Sequence, residues 1–181
     1  RCLLSLSRGG ADATVVREFD TQTKAFVEAG FGLAEAKSEI DWIDADNVYV
    51  ATDFGPGSLT DSGYPRVIKR WKRGSPLSAA QTVFEGEAKD VAASVSVDHT
   101  PGFPRTTFSR ALDFYNQASF LLIEGKLVKL ELPSDMQEQF WGPRLLLHPR
   151  SDWQVDGQRY PAGSLLLADA AGFLRGERKF Q

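Results

Sequence analysis

The sequence contains few of the residues that most often carry out chemistry. Its 181 residues include one cysteine, Cys2, one methionine and two histidines. A single cysteine cannot form an internal disulfide, so nothing points to an oxidising compartment, and we expect a cytoplasmic protein. There is no CxxC pair, HExxH motif or phosphate-binding GxxxxGK[ST] loop. We therefore expect no cofactor and no metal site.

Long hydrophobic runs and an excess of one charge are also missing. Apolar runs such as residues 120–123 and 145–147 are far too short to span a bilayer. The net charge of −3 and the pI near 5.4 give no general attraction to nucleic acid or to an anionic membrane. With 42% hydrophobic and 25% charged residues, the chain has the composition of one globular domain or of part of a larger one.

The two histidines do not complete a hydrolytic site. Nucleophilic hydrolysis needs a serine or cysteine, a base and a group that orients the base. His99 lies in a predicted turn, and His148 ends an apolar run before a proline. No GxSxG occurs, and residues 55–58 (GPGS) have the wrong spacing. We expect no catalytic residue in this chain and interpret Ser58 as a loop residue.

A cluster of acidic residues raises the question of a metal site. Asp41, Asp44 and Asp46 lie close together, but an EF-hand loop would need an oxygen ligand where Val48 stands. A solvated turn between two strands is the simpler interpretation.

One stretch concentrates positive charge around Trp71. Basic residues mixed with an aromatic residue can bind single-stranded nucleic acid. On a strand, however, alternation sends Lys69, Trp71 and Arg73 to one face and Arg70 and Lys72 to the other, so the charge is divided. We expect no nucleic-acid partner and no membrane partner.

The secondary-structure pattern is a succession of short strands in sets of four. The third strand of each set begins near Ala13, Pro65, Gln117 and Gly163, a repeat of about 46 to 52 residues, which is typical of β-propeller blades. A sandwich or a meander barrel would give a similar pattern. The predicted blades are 1–29 (the tail of one blade), 38–87, 90–133 and 137–181. Residues 33–37 favour a short helical turn, and a last strand is predicted near Phe173.

The stretch at residues 52–74 organises the rest of the pattern. It joins two predicted strands, and its middle is rich in glycine, proline, serine and aspartate. Asp53 and Ser58 are suited to binding the amides of the loop itself. Long ordered loops on a β scaffold are usually functional.

Eight short motifs are spread over nearly the whole chain: RGGAD at 8–12, REFD at 17–20, EAKS at 35–38, TDFGPGSLT at 52–60, GYPR at 63–66, SRALDF at 109–114, RSDW at 150–153 and YPAGSL at 160–165. Each motif alone is weak, but the combination is specific. Together they resemble the amino-terminal β-propeller of prolyl-oligopeptidase-family serine peptidases, in particular a bacterial branch.

The resemblance implies an all-β fold: a partial β-propeller of about three to four four-stranded antiparallel blades out of a seven-bladed ring. Members of the family join this propeller to an α/β-hydrolase domain that supplies the catalytic triad, and the propeller restricts access to short peptides. The implied partners are the carboxyl-terminal hydrolase domain of a parent chain and short peptides. Because a partial ring leaves blade faces uncovered, the isolated fragment is expected to self-associate.

Two hypotheses of function remain. The first is a non-catalytic segment that caps a peptidase active site, with Arg66 the candidate to pair with a carboxylate across the gap and with Asp53 and Arg8 ordering the same region. The alternative is a propeller that serves only as an interaction scaffold with no attached enzyme.

Overall fold

Antiparallel strands make up most of the computed structural model, which describes residues 1–181. The only helices are a short 3-10 turn at Leu77–Ala79 and α1 at Ala170–Leu174. The strands are β1 (Cys2–Ser7), β2 (Thr14–Asp20), β3 (Ala25–Phe26), β4 (Gly32–Ala36), β5 (Glu39–Asp44), β6 (Asn47–Ala51), β7 (Val67–Lys72), β8 (Gln81–Glu85), β9 (Ala92–Asp98), β10 (Arg105–Ala111), β11 (Gln117–Ile123), β12 (Lys126–Lys129), β13 (Met136–Trp141), β14 (Arg144–Pro149), β15 (Trp153–Val155), β16 (Gln158–Tyr160) and β17 (Leu166–Asp169).

The strands form four main sheets in chain order. In the first sheet, β1, β3 and β4 all pair with β2. The second sheet has the order β5-β6-β7-β8 and the third β9-β10-β11-β12, so each is a simple meander. The fourth has the order β13-β14-β17, with the hairpin β15-β16 inserted before β17. This arrangement confirms the predicted all-β class and the partial β-propeller.

Adjacent sheets stack face to face, and β6 shows how. Val48 and Val50 enter a core shared with Phe31 of the first sheet, whereas Tyr49 and Ala51 enter a core shared with the third sheet. All four residues are buried. Successive side chains of a strand point to opposite faces. A strand that is buried on both faces therefore indicates a sheet packed between two others.

Aromatic rings fill both of these cores. Phe31 meets Trp71 edge to face with ring centroids 5.0 Å apart. On the other side of the second sheet, Phe84 stacks on Phe108 at 5.2 Å, and Tyr49 meets the edge of Phe108 at 5.3 Å. Such pairs add to the stability that their buried area provides. The fourth sheet has its own core, formed with the β15-β16 hairpin and α1.

A buried ion pair links the first sheet to the second. The carboxylate of Glu18 on β2 is fully buried and receives two hydrogen bonds from Arg73, at 2.8 and 3.1 Å. The backbone N–H of Phe31 donates to the same carboxylate at 2.9 Å. Burial of the carboxylate by itself raises the pKa of Glu18. The hydrogen bonds from Arg73 and Phe31, together with the positive charges of Arg73 and Arg1, have the larger opposite effect. The pKa of Glu18 is therefore lower than its usual value of 4.5.

Two local predictions were wrong. Residues 33–37 form most of strand β4 rather than a helical turn, because pairing with β2 and burial of Leu33 override the helix preference of the segment. The strand predicted near Phe173 is instead helix α1, whose first turn is capped by Asp169 accepting from Gly172 N at 2.7 Å. No helix of the chain has the length and apolar character needed to cross a membrane.

Removing the Phe108 ring should weaken the stacking of the second and third sheets. Phe108→Ala leaves a cavity at a residue that is 1% exposed, so we expect the free energy of unfolding to fall by about 3–5 kcal/mol. Leu165→Ala is the control, because Leu165 is 68% exposed and its loss should change stability by no more than about 0.5 kcal/mol. Urea denaturation measures both. Equal losses would contradict the proposed core.

Neutralising Glu18 should weaken the packing of the first sheet against the second. Glu18→Gln leaves Arg73 without its partner and should cost about 3 kcal/mol, the low end for a buried pair because Arg73 remains partly exposed. The folded-state pKa of Glu18 is lowered, so its contribution is present above pH 4.5 and is lost as the pH falls through the folded-state value. The difference between wild type and variant should therefore shrink in acid; a difference independent of pH would contradict the ion pair.

Candidate functional site

The long loop, residues 52–66 between β6 and β7, is ordered by its own side chains. Asp53 Oδ1 accepts from Gly55 N at 2.8 Å and from Ser58 Oγ at 3.3 Å. Ser58 is buried, and its hydroxyl also donates to the Gly55 carbonyl at 2.7 Å and accepts from Phe54 N at 2.8 Å. Gly55 has φ +99°, a conformation that favours glycine. The first half of the loop therefore has one defined shape.

Arg66 closes the base of the long loop. Its Nε donates to the Gly57 carbonyl at 2.7 Å, and its Nη1 donates to the Gly86 carbonyl at 2.9 Å. Glu85 lies 3.7 Å from Nη1, while Nη2 makes no hydrogen bond. The guanidinium thus joins the loop to the end of β8 and keeps one nitrogen free for a further acceptor.

Contacts with neighbouring segments hold the second half of the loop. Thr60 Oγ1 and Ser62 Oγ both donate to the Val91 carbonyl, at 3.0 and 2.7 Å. The hydroxyl of Tyr64 donates to Asp12 Oδ2 at 3.0 Å, across to the β1-β2 turn of the first sheet. Lys37 lies 3.8 Å above the Tyr64 ring. The loop is therefore fixed to the first sheet and to the start of the third.

The three residues predicted as a site do not form one cluster. Asp53 and Arg66 belong to the same loop. Arg8 lies in the β1-β2 turn, is largely exposed and pairs with Glu35 at 3.8 Å. Arg8 shares its turn with Asp12, which the Tyr64 hydroxyl contacts, so Arg8 lies at the border of the long loop rather than within it.

Sequence reasoning missed a second ion pair beside the loop. Arg110 donates to Asp90 through Nε at 2.7 Å and through Nη2 at 3.0 Å. Burial raises the pKa of Asp90, but the hydrogen bonds from Arg110 and Glu87 N, with the Arg110 charge, lower it overall from 3.8. Gly86 fits closely here, since a Cβ would lie 2.9 Å from Asp90 Oδ2. No sequence pattern predicts that these two residues, 20 positions apart, form an ion pair.

The histidines and the acidic turn have local partners. His99 Nε2 donates to the Trp42 carbonyl at 3.0 Å, and His148 Nδ1 donates to Gln137 Oε1 at 2.8 Å. Asp44 accepts from Asp46 N at 2.8 Å and from Asn47 Nδ2 at 2.9 Å. Hydrogen bonds from Asn47 and Asp46 lower the pKa of Asp44 from 3.8.

A polar groove of about 410 Å³ is lined by the first strands of all four sheets and by residues of β10 and β11. Glu39 on β5 accepts from Ser94 Oγ at 2.9 Å and from Val95 N at 3.3 Å, and Asp41 accepts from Val97 N at 2.8 Å. These carboxylates satisfy donors along the free edge of β9. Protein atoms around the Glu39 carboxylate displace part of its water and raise its pKa above 4.5, and the two hydrogen bonds to it only partly oppose this shift.

Glu138 on β13 is a third carboxylate that lines the groove. It accepts hydrogen bonds from Ser119 Oγ and, at 2.8 Å, from Gln117 Nε2, so it joins the fourth sheet to the third. Burial raises the pKa of Glu138 above 4.5, and these hydrogen bonds only partly oppose the shift. Acidic side chains thus connect β5 with β9 and β13 with β11. The arrangement is suited to positioning and contact.

Comparison with known proteins gives a consistent result. No protein-family model matches the chain. The chain is 36% identical over 176 residues to an uncharacterized peptidase of Sinorhizobium fredii and 31% identical over 198 residues to an uncharacterized peptidase of Rickettsia prowazekii. These matches cover 93% and 98% of the chain but 24% and 27% of the relatives, so the chain spans about a quarter of their length.

Solved structures agree with the sequence relatives. A post-proline cleaving enzyme from Rickettsia typhi superposes with a TM-score of 0.90 and 28% identity over 99% of this chain and 28% of its own. A prolyl endopeptidase at 14% identity, with a TM-score of 0.69 over 98% of the chain and 26% of its own, shares the fold.

The successive antiparallel sheets, three of four strands and one of three, and their ordered rim define a propeller segment of the kind found in peptidases. Over nearly its whole length the chain is similar to a segment of peptidases, and it shares its fold with part of the post-proline cleaving enzyme and of the prolyl endopeptidase.

Replacing Glu39 should change how stability depends on pH. Its folded-state pKa is raised, so its contribution is fully present below pH 4.5 and is lost as the pH rises through the folded-state value. Glu39→Gln does not titrate, so its stability relative to wild type should increase from pH 4.5 to 7. Denaturation at several pH values tests this, with the exposed Glu131→Gln as control. A relative stability that falls over this range would contradict the raised pKa.

Proposed function

We propose that this chain is a non-catalytic propeller segment of a serine-type oligopeptidase, where it caps the active site and limits access to short peptides. The observation that carries the proposal is the superposition of 99% of the chain on a post-proline cleaving enzyme with a TM-score of 0.90. The proposed partner is the α/β-hydrolase domain of a longer polypeptide.

The ordered rim supports a role in access. A loop that filters substrates by size has to keep a defined shape, since a mobile loop would yield to a larger peptide. Asp53, Ser58 and Arg66 give the long loop that shape, and Thr60 and Ser62 fix it to the third sheet. Arg66 acts as a positioning residue in this proposal, and its free Nη2 is available to a carboxylate of the hydrolase domain.

Two expectations from the sequence remain predictions. The location in the cytoplasm rests on the single cysteine, and the self-association of the isolated chain rests on the uncovered faces of a partial ring.

The proposed role of Arg66 can be tested by kinetics on the full-length peptidase. Arg66→Ala should change kcat/KM for peptides by on the order of tenfold, about 1.4 kcal/mol of transition-state stabilisation. The rate of inactivation by a small acylating reagent should change much less, because such a reagent does not have to pass the rim. Equal effects on both, or no effect on either, would contradict the proposed control of access.

Two further variants separate shape from charge. Lys72→Ala removes a positive charge from the exposed face of β7 without touching the loop, and should behave as wild type. Arg66→Lys keeps the charge but cannot bridge Gly57 and Gly86 in the same geometry, so it should resemble Arg66→Ala. If Arg66→Lys has the kinetics of wild type, the effect of Arg66→Ala is due to the loss of the positive charge alone.

A further inference from the structure

The turn between β10 and β11 exposes two aromatic rings. In this turn, residues 112–116, which we name the aromatic tip, Phe114 is 90% exposed and Tyr115 is 68% exposed. The remaining members of the tip are suited to a tight turn. Asp113 Oδ1 accepts from Tyr115 N at 2.8 Å and from Asn116 N at 2.9 Å. The turn therefore holds its shape without any contribution from the two rings.

Contacts on both sides fix the aromatic tip. Leu112 N donates to the Asn116 carbonyl at 2.8 Å, and Ser134 Oγ donates to Asn116 Oδ1 at 2.8 Å. From the fourth sheet, the guanidinium of Arg150 lies 5.4 Å from the centre of the Tyr115 ring. The backbone that carries the two rings therefore has a defined shape, and the Tyr115 ring has one neighbouring cation, which lowers the entropy cost of binding a partner.

The aromatic tip and the long loop lie at the same end of the sheets. The long loop connects the second and third strands of its sheet, and the aromatic tip connects the second and third strands of the next. The backbone carbonyl of Val91 accepts from Thr60 and Ser62 of the long loop, while its N–H donates to the Ala111 carbonyl beside the tip at 2.7 Å. The two features therefore belong to one continuous rim.

We propose that the aromatic tip docks into the peptidase portion of the longer polypeptide, a role that rests on the function proposed above. The chain spans 24% and 27% of its curated relatives, so about three quarters of those polypeptides is available as the occupant. Phe114 and Tyr115 protrude as anchors, and protruding aromatic residues contribute most of the binding energy in many interfaces.

The side chains of the aromatic tip indicate which kind of surface can bind it. Asp113 is occupied by its own turn, which leaves two rings and the Arg150 cation facing outward. The complementary surface is an apolar depression with a carboxylate at its edge, placed to accept from Arg150. A flat or basic surface would not fit.

Hydrogen exchange measured by mass spectrometry on the full-length peptidase tests the docking. Phe114→Ala combined with Tyr115→Ala should accelerate exchange on the order of tenfold in one segment outside residues 1–181, because that segment loses its cover. Leu127→Ala with Val128→Ala is the matched control: both side chains are partly exposed on β12, the outer strand of the same sheet, and exchange outside residues 1–181 should not change.

Single variants test the chemistry of the contact. Tyr115→Phe keeps the ring and should exchange as wild type, whereas Arg150→Glu places a like charge against the expected carboxylate and should accelerate exchange in the same segment. Arg150→Lys should have the smaller effect of the two.

Two results would overturn the docking. In the first, the double variant shows unchanged exchange outside residues 1–181 but a raised KM for apolar peptides. The aromatic tip would then contact substrate. Unchanged exchange and unchanged kinetics would make it a free surface. Neither result depends on Arg66, so the docking and the control of access can fail separately.

Discussion

The carboxylate of Glu18 sets the first constraint on this structure. A buried charge is costly unless opposite charge and hydrogen bonds surround it, and Glu18 has Arg73, Arg1 and the Phe31 amide as partners. Since Arg73 belongs to the second sheet, the pair can form only when the two sheets stack in one arrangement. The apolar core between them then packs around a fixed position, and the free energy of stacking is linked to the ionisation of one group.

Similar polar links recur from sheet to sheet. Glu39 and Asp41 bind the free edge of β9, and Glu138 binds Ser119 and Gln117. Stacked sheets whose contacts were only apolar could slide, because hydrophobic burial has no preferred direction. Hydrogen bonds do have one, and here they fix the register between neighbouring sheets. The loops of the rim begin and end on strands of these same sheets.

The rim uses most of its polar groups within the chain. Arg66 donates to two carbonyls, and Ser58 and Asp53 satisfy each other and nearby amides. What remains for a partner is one nitrogen of Arg66, the Arg150 cation and two aromatic rings. This division is consistent with the contact role that we propose for the chain.

The sequence by itself determined the all-β class, the repeat of about 46 to 52 residues and the family resemblance, because strand alternation and turn residues are local properties. It also identified the long loop and placed Asp53 within it. Only the tertiary structure decided that residues 33–36 belong to a strand, that Arg66 closes its own loop, and that Glu18 meets Arg73 and Arg110 meets Asp90. Those contacts join residues up to 55 positions apart. The stacking of the sheets determines which residues become partners, and no local sequence pattern predicts this stacking.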